Sequence, residues 1–278
     1  MNSLVPNEFL LRATYFPHHA DNRMHGEGDV AKARAIFLQQ RFNNLAYLLR
    51  QRYDWMKDYI RPGDNAVELG AGTGLLKEFL PYDNITLTDV EPHPWIDRVV
   101  DATRPDFDEA SVDVIICSHM IHHLASPIKF FDKIHTSLKE GGYVLIQEIN
   151  TSLMMRALLR LMRHEGWSYD VDVFDPTVVC NDPTDPWSAN CAIPELLFGN
   201  TELFDRKVTG FRIVKKQMQE GFIFPLSGGV ISKTRMVELP DLVLRNVEML
   251  DRLLIRLFPA TFALGLSVVL QKTSRDGR

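Results

Sequence analysis

Residues 67–74 read Val67-Glu68-Leu69-Gly70-Ala71-Gly72-Thr73-Gly74, and this stretch decides the fold. The apolar run that begins at Ala66 is short enough for a buried parallel strand and too short for a helix. Glycines at a strand end let the backbone approach a ligand closely, and the free N–H groups of such a turn face the polar part of that ligand. The stretch therefore predicts a strand, a ligand-binding glycine loop and the start of a helix.

Further strand-like runs follow the loop, and segments of helical periodicity separate them. They lie at Ile85–Asp89, residues 98–101, Val112–Ser118 and residues 143–149. Before the last run, Ile128, Phe131, Ile134 and Leu138 share one helix face, and Gly141-Gly142 is expected to end that helix. Alternating strands and helices predict an α/β fold with a parallel sheet and helices on both faces.

The segments on either side of this core define the predicted domain organisation. Apolar side chains recur at three- and four-residue steps over residues 28–60, which predicts an N-terminal helical extension or lid over residues 1–60. The main domain is expected to span residues 61–278. Within it, residues 151–210 combine a basic amphipathic helix with a stretch rich in Pro, Asp and Trp, so we interpret them as an insertion after strand 5.

The composition of the chain limits the partners, the metal sites and the cellular locations that we expect. The 278 residues carry 36 acidic and 31 basic side chains, so a net charge of -5 disfavours nucleic acid as a partner. The three cysteines form no C-x-x-C pair and the acids of residues 170–185 match no cation-binding loop, so no metal is predicted. The N-terminus lacks the features of a secretory signal, and the longest apolar run, residues 259–270, is shorter than the roughly 20 residues of a membrane span. The expected location is the cytoplasm.

Two acids at later strand ends suggest a nucleoside cofactor. Asp89 ends the second strand, where its carboxylate can accept hydrogen bonds from both ribose hydroxyls of NAD or of S-adenosylmethionine (SAM). Asp101-Ala102 closes the third strand, where an acid can accept from an adenine amino group or stand solvated. The dinucleotide fingerprint G-x-G-x-x-G requires a glycine or alanine where this chain has Leu75, which argues against NAD.

In sequence order, these stretches resemble the class I SAM-dependent methyltransferases, in particular the broad group that acts on small molecules. The matching stretches are Glu68 to Gly74, Thr88-Asp89-Val90-Glu91-Pro92, Asp101-Ala102, Val112–Ser118 with the following His122-His123-Leu124, and Leu138-Lys139-Glu140-Gly141-Gly142. The resemblance covers residues 60–150. It implies a Rossmann-like seven-stranded sheet whose last strand, expected within residues 261–271, runs antiparallel to the others.

The resemblance also implies the ligands and the site. SAM is the expected cofactor and S-adenosylhomocysteine (SAH) the expected product. The residues that the resemblance assigns to cofactor binding are Glu68, Gly70, Ala71, Gly72, Gly74, Asp89, Val90, Asp101, Ala102 and Ser118.

The acceptor chemistry depends on the residues after the fourth strand. A sulfonium methyl group is already activated, so alignment is the main task, but a hydroxyl acceptor gains from a general base. His122 and His123 are the candidate bases, and packing or capping of the next helix is the alternative. We expect O-methylation of a metabolite, sugar or natural-product intermediate, while C-methylation or a lipid-linked acceptor stays open. The Asn/Asp-Pro-Pro-Tyr motif of amine methylation is absent after that strand.

Two further alternatives concern the acceptor side and the class of protein. Trp187, Phe198, Phe222 and Phe224 are candidates for an apolar acceptor pocket or for core packing. The helix over residues 241–258 has a broad apolar side beside arginines, for which packing on the sheet is favoured over contact with a membrane surface. A noncatalytic SAM- or SAH-binding scaffold, with its acceptor side blocked, is the rival of another class. The oligomeric state is not predicted.

Overall fold

The computed structural model describes residues 14–18, 29–80, 82–163, 165–231 and 234–274. Residues 1–13 and 19–28, which belong to the predicted N-terminal extension, lie outside the described residues.

One seven-stranded sheet forms the centre of the molecule, in the order β3-β2-β1-β4-β5-β7-β6. Its strands are β1 (Ala66–Leu69), β2 (Ile85–Asp89), β3 (Arg98–Val99), β4 (Val112–Ser118), β5 (Leu138–Ile149), β6 (Phe211–Gln219) and β7 (Gly265–Lys272). β7 pairs antiparallel with both β5 and β6, and every other pairing is parallel. The Rossmann-like sheet with an antiparallel last strand is thus confirmed.

Helices surround this sheet, and most follow the predicted periodicity. They are α1 (Val30–Gln40), α2 (Asn43–Tyr53), α3 (Pro127–Ser137), α4 (Leu153–Met162), α5 (Ile193–Phe198), α6 (Thr201–Lys207), α7 (Ile223–Leu226), α8 (Asp241–Leu257) and α9 (Pro259–Phe262). Within the described part of the chain, no helix has the length and hydropathy needed to span a membrane.

Three predicted boundaries differ from the structure. The loop opens into a single 3-10 turn at Leu75–Glu78 instead of an α-helix, and Pro81 disfavours helical backbone at the residue before it. α3 ends at Ser137 rather than at the glycine pair, because Leu138 already pairs with Val112 of β4. β7 begins only at Gly265, since Pro259 starts the short helix α9.

Two apolar clusters cover opposite faces of the sheet. In β4, Ile115 and Cys117 belong to one cluster, and Val114 and Ile116 belong to the other, as the alternation of side chains along a strand requires. α3 packs into the first cluster, whereas α1 and α2 pack into the second. The N-terminal helices are therefore part of the core that supports β1.

The strand order fixes where a ligand can bind. From β1 the chain runs outward to β2 and β3, and then returns to β4 on the other side of β1. In open α/β sheets, ligands bind in the crevice at the carboxyl ends of the strands where the order reverses. Here that crevice lies between the glycine loop after Leu69 and the segment that follows Ser118.

Candidate active site

A cavity of about 1170 Å³ opens at this crevice. Ligand pockets measure roughly 300–1,000 Å³, so the cavity can hold a cofactor and a second small molecule together. Nine of the ten predicted cofactor residues line it: Glu68, Gly70, Ala71, Gly72, Asp89, Val90, Asp101, Ala102 and Ser118. Gly74 does not line it, so the structure separates this glycine from the others.

Gly72 and Gly74 are glycines for different reasons. Gly72 has φ +49° and a Cβ built on it meets no atom within 4 Å, so a side chain there would project into open cavity. Gly74 has φ +59°, and its Cβ would lie 2.6 Å from Cδ1 of Trp95. The Trp95 indole N–H donates to the Gly72 carbonyl (2.9 Å). Gly74 therefore lets Trp95 pack beneath the loop and hold Gly72 in place.

Asp89 connects the glycine loop to the end of β2. Its Oδ2 accepts from the Gly72 N–H (2.7 Å), and its Oδ1 accepts from the Glu91 N–H (2.9 Å). Each carboxylate oxygen can accept more than one hydrogen bond, so Asp89 retains capacity for ligand hydroxyls. Asp101 is exposed at the cavity rim, where its Oδ1 accepts from the backbone and hydroxyl of Thr103 (2.8 and 2.7 Å).

Three buried polar atoms of residues that line the cavity have no hydrogen-bond partner among the residues that the structure describes. They are Oε2 of Glu68, Nε2 of His119 and Oγ of Ser126. Burial, reinforced by the neighbouring Asp89, raises the pKa of Glu68 to about 8. Buried polar groups are normally paired, so this set indicates a wall shaped for a polar ligand.

His122 forms a buried pair with Glu148 of β5. The Nδ1–H of His122 donates to Oε2 of Glu148 (2.6 Å), and the two side chains are 3% and 0% exposed. Oε1 of Glu148 accepts from the Ile121 N–H (2.6 Å), so backbone holds the carboxylate in place. On the other side of the ring, Nε2 of His122 lies 3.6 Å from Oε2 of Glu165. Glu148 thus fixes the orientation of the His122 ring through Nδ1, and Nε2 is the nitrogen that can exchange a proton with a ligand.

The two adjacent histidines differ in their electrostatic environment. Burial alone lowers the pKa of His122, but Glu148 and Glu165 outweigh it and raise that pKa to about 10. Burial and the neighbouring His122 lower the pKa of His123 to about 4. The His123 ring also lies 3.1 Å from the Ser188 carbonyl oxygen through its Nδ1. His122 is consequently the strong base of the pair, and His123 is a weak one.

Comparison with known families agrees with this arrangement. A family model described as a methyltransferase domain matches residues 37–174, which include α2, β1 to β5, the glycine loop and His122. This chain carries a class I SAM-dependent methyltransferase domain.

Two curated relatives match parts of the methyltransferase. It is 25% identical over 206 residues to the hybrid PKS-NRPS synthetase apdA of Emericella nidulans, which covers 62% of this chain and 5% of that one. It is 26% identical over 132 residues to the highly reducing polyketide synthase acrA of Aspergillus aculeatus, and the match covers 38% of this chain and 5% of that one. This chain therefore spans about a twentieth of the length of these curated relatives.

A solved structure shares the fold of the methyltransferase. The SAM-dependent methyltransferase from Archaeoglobus fulgidus superposes with a TM-score of 0.51 at 17% identity, covering 86% of this chain and 99% of that chain.

The residues of the methyltransferase fit SAM. The unpartnered Glu68 carboxyl suits a cationic ligand, because a nearby positive charge stabilises the ionised form that burial disfavours. The open space beside Gly72 accepts a ligand in contact with backbone, and Asp89 offers acceptors for ribose hydroxyls. Bound SAM would supply a methyl group activated by its sulfonium sulfur.

Apolar side chains also line the cavity. Met155 and Leu159 of α4 line it together with Trp187 and Phe224, two of the four predicted acceptor-pocket residues. Among the other two, Phe198 is buried in the core against Phe131, and Phe222 does not line the cavity. His122 lines the same cavity as these apolar side chains.

Sequence reasoning missed the groups that surround His122. Glu148 stands inside the apolar run of β5, and an acid buried in a central strand was a signal available in the sequence. Glu165 lies in the predicted insertion, and no sequence pattern connects it with His122.

Arg52 of α2 is another residue of the cavity wall that the sequence did not indicate. Its Nε and Nη2 donate to Glu220 (2.9 and 2.7 Å).

The distances between the ligand atoms of this histidine cluster would also allow it to hold a metal ion. Ligand atoms of His122, His123 and Glu165 lie within 4.8 Å of one another. A protonated His122 ring and the Glu165 carboxylate attract each other at this distance without a metal ion, so we interpret the two side chains as sharing a proton.

The acids predicted to lie in a solvated insertion make local turns. Asp175 accepts from the backbone N–H and hydroxyl of Thr177, and Asp182 accepts from those of Thr184.

Proposed function

We propose that this methyltransferase transfers the methyl group of SAM to a small natural-product intermediate whose acceptor atom His122 first deprotonates. The buried His122–Glu148 pair at the cavity wall carries the proposal, since the Nδ1–Oε2 distance is 2.6 Å. A hydrogen bond from Nδ1 to a carboxylate raises the basicity of Nε2 and fixes the orientation of the ring.

The proposed chemistry needs little more than a proton acceptor and alignment. The acceptor O–H or C–H loses its proton to Nε2 of His122, and Glu148 and Glu165 stabilise the positive charge that this creates on the ring. The backbone N–H of Ile121 keeps Glu148 from rotating away. The apolar wall from Met155 and Leu159 excludes water, so the deprotonated acceptor reacts with the methyl group rather than regaining a proton.

The relatives support an acceptor of the polyketide type. Both named relatives are synthases of that class, although this chain matches only a small part of each. Oxygen remains the expected acceptor atom, and a carbon between two carbonyl groups is the second candidate. The raised pKa of His122 suits either acceptor, because both must lose a proton to the ring.

A product assay tests the proposal. Purified protein is incubated with SAM and with either a 3-oxoacyl thioester of N-acetylcysteamine or a phenol, and SAH and the methylated product are measured by mass spectrometry. We expect SAH to form with an acceptor and not without one, and NMR of the product to separate O-methyl from C-methyl. SAM binding with no SAH from either acceptor would contradict the proposal and support a scaffold.

The pH dependence of the rate follows from the state of His122. Only the unprotonated ring can accept a proton, and its pKa is raised to about 10. The kcat of the wild type should therefore increase with pH from neutrality toward 10, tenfold per unit while the ring is mostly protonated. In Glu148→Gln, loss of the carboxylate lowers this pKa, so the rise should move to lower pH and end in a lower plateau. A flat profile that is the same in both proteins would contradict the role of His122.

A further inference from the structure

The outward face of α8 is apolar over most of its length. The side chains of Leu242, Met249, Leu253 and Leu257 are 72%, 65%, 54% and 57% exposed. Leu244, Asp251 and Ile255, on the opposite side, are the buried residues of this helix. Packing on the sheet thus uses one narrow side of α8, and a second apolar side has no cover within the described residues.

Positive charge runs along one edge of this exposed face. Arg245, Arg252 and Arg256 follow one another at steps of seven and four residues, which places them on one side of the helix beside the leucines, and all three are exposed. Glu248 accepts from the Tyr47 hydroxyl and forms an ion pair with Arg252, which leaves Arg245 and Arg256 as the uncompensated cations of this edge among the described residues. Asp251 accepts from the Phe222 and Ile223 N–H groups. Asp241, at the first position of the helix, is its one exposed acid.

The apolar face continues onto neighbouring elements. Phe258, directly after α8, is 56% exposed, and α9 packs against α4. On α4, Leu161 is 73% exposed, whereas Met155 and Leu159 of the same helix line the cavity. The exposed surface therefore borders the helix that forms the apolar wall of the active site.

We propose that α8 and the adjoining residue Phe258 form a docking surface for an anionic lipid bilayer. Leucines beside arginines on one helix are typical of interfacial binding, in which the apolar side chains enter the acyl boundary and the cations bind lipid phosphates. Residues 241–258 carry three exposed arginines and one exposed acid, so the charge of this face complements an anionic surface. The surface lies outside the methyl-transfer site, so the proposal does not depend on the acceptor.

Co-sedimentation with vesicles tests this surface. We expect the wild type to pellet with vesicles of equal parts phosphatidylglycerol and phosphatidylcholine, and to stay in solution with phosphatidylcholine alone. Leu253→Glu/Leu257→Glu should lower the bound fraction at least about tenfold, because two charges would enter the acyl boundary. Arg245→Gln/Arg256→Gln should weaken binding to the acidic vesicles, as added salt does.

The control is Val179→Glu, which places one such charge at a side chain that is 63% exposed in the insertion, outside α8. This variant should bind vesicles as the wild type does, and all variants should retain the wild-type thermal midpoint. Failure of the wild type to bind acidic vesicles would overturn the proposal. So would a wild-type dimer in analytical ultracentrifugation that the leucine variant abolishes while vesicle binding persists, since a second copy would then cover this face.

Discussion

Gly72→Val should lower the affinity for SAM by about a hundredfold or more, which is close to loss of detectable binding. The Cβ at this position points into empty cavity, so the added isopropyl group takes space that the cofactor needs. A β-branched residue is also strained at φ +49°, and any shift of the loop weakens the Gly72 N–H bond to Asp89. Isothermal titration calorimetry of the purified variant with SAM measures the effect.

Gly63→Val is the matched control for backbone strain. Gly63 also has positive φ (+91°) and open space at its Cβ, but it lies before β1 and does not line the cavity. This variant should lose stability while it keeps the wild-type affinity for SAM. Equal affinities in the wild type and Gly72→Val would show that the cofactor binds elsewhere.

His122→Ala should reduce kcat by about 10²-fold or more and leave the affinity for SAM within a few-fold of wild type. The variant removes the base and its hydrogen bond to Glu148, but none of the predicted cofactor contacts around Gly72 and Asp89. Rate is measured as SAH formation with the best acceptor from the product assay, and affinity by calorimetry on the same preparation.

His123→Ala distinguishes a catalytic role from packing of this segment. His123 follows His122 directly, but its pKa is lowered to about 4 and its Nδ1 faces a backbone carbonyl. We expect its rate to stay within about tenfold of wild type. If both alanine variants turn over at the wild-type rate, neither histidine takes part in the reaction.

The sequence predicted most of the fold because its strands end in recognisable positions. The glycine loop after Leu69, the acid at Asp89 and the antiparallel last strand all lie where the ordered motifs implied. The ends of helices and strands were harder to predict, since pairing between distant parts of the chain decides them. Leu138 has the periodicity of the preceding helix, yet its pairing with Val112 makes it the first residue of β5.

Sheet topology explains why the predicted cofactor residues lie together, and it explains less of the acceptor side. Gly70, Asp89 and Ser118 sit at successive strand ends, so sheet topology alone brings them together. Glu148 and His122 meet only because β5 lies next to β4, and Glu165 reaches them from a segment without a regular pattern. Local spacing contains no information about such contacts.

Calorimetric titration of the wild-type chain with SAM, with NADH as the control ligand, tests directly whether this chain binds SAM. We expect a saturable signal for SAM with micromolar affinity and no response to NADH. The absence of a SAM signal from folded protein, or saturable NADH binding, would contradict the assignment of the glycine loop to SAM.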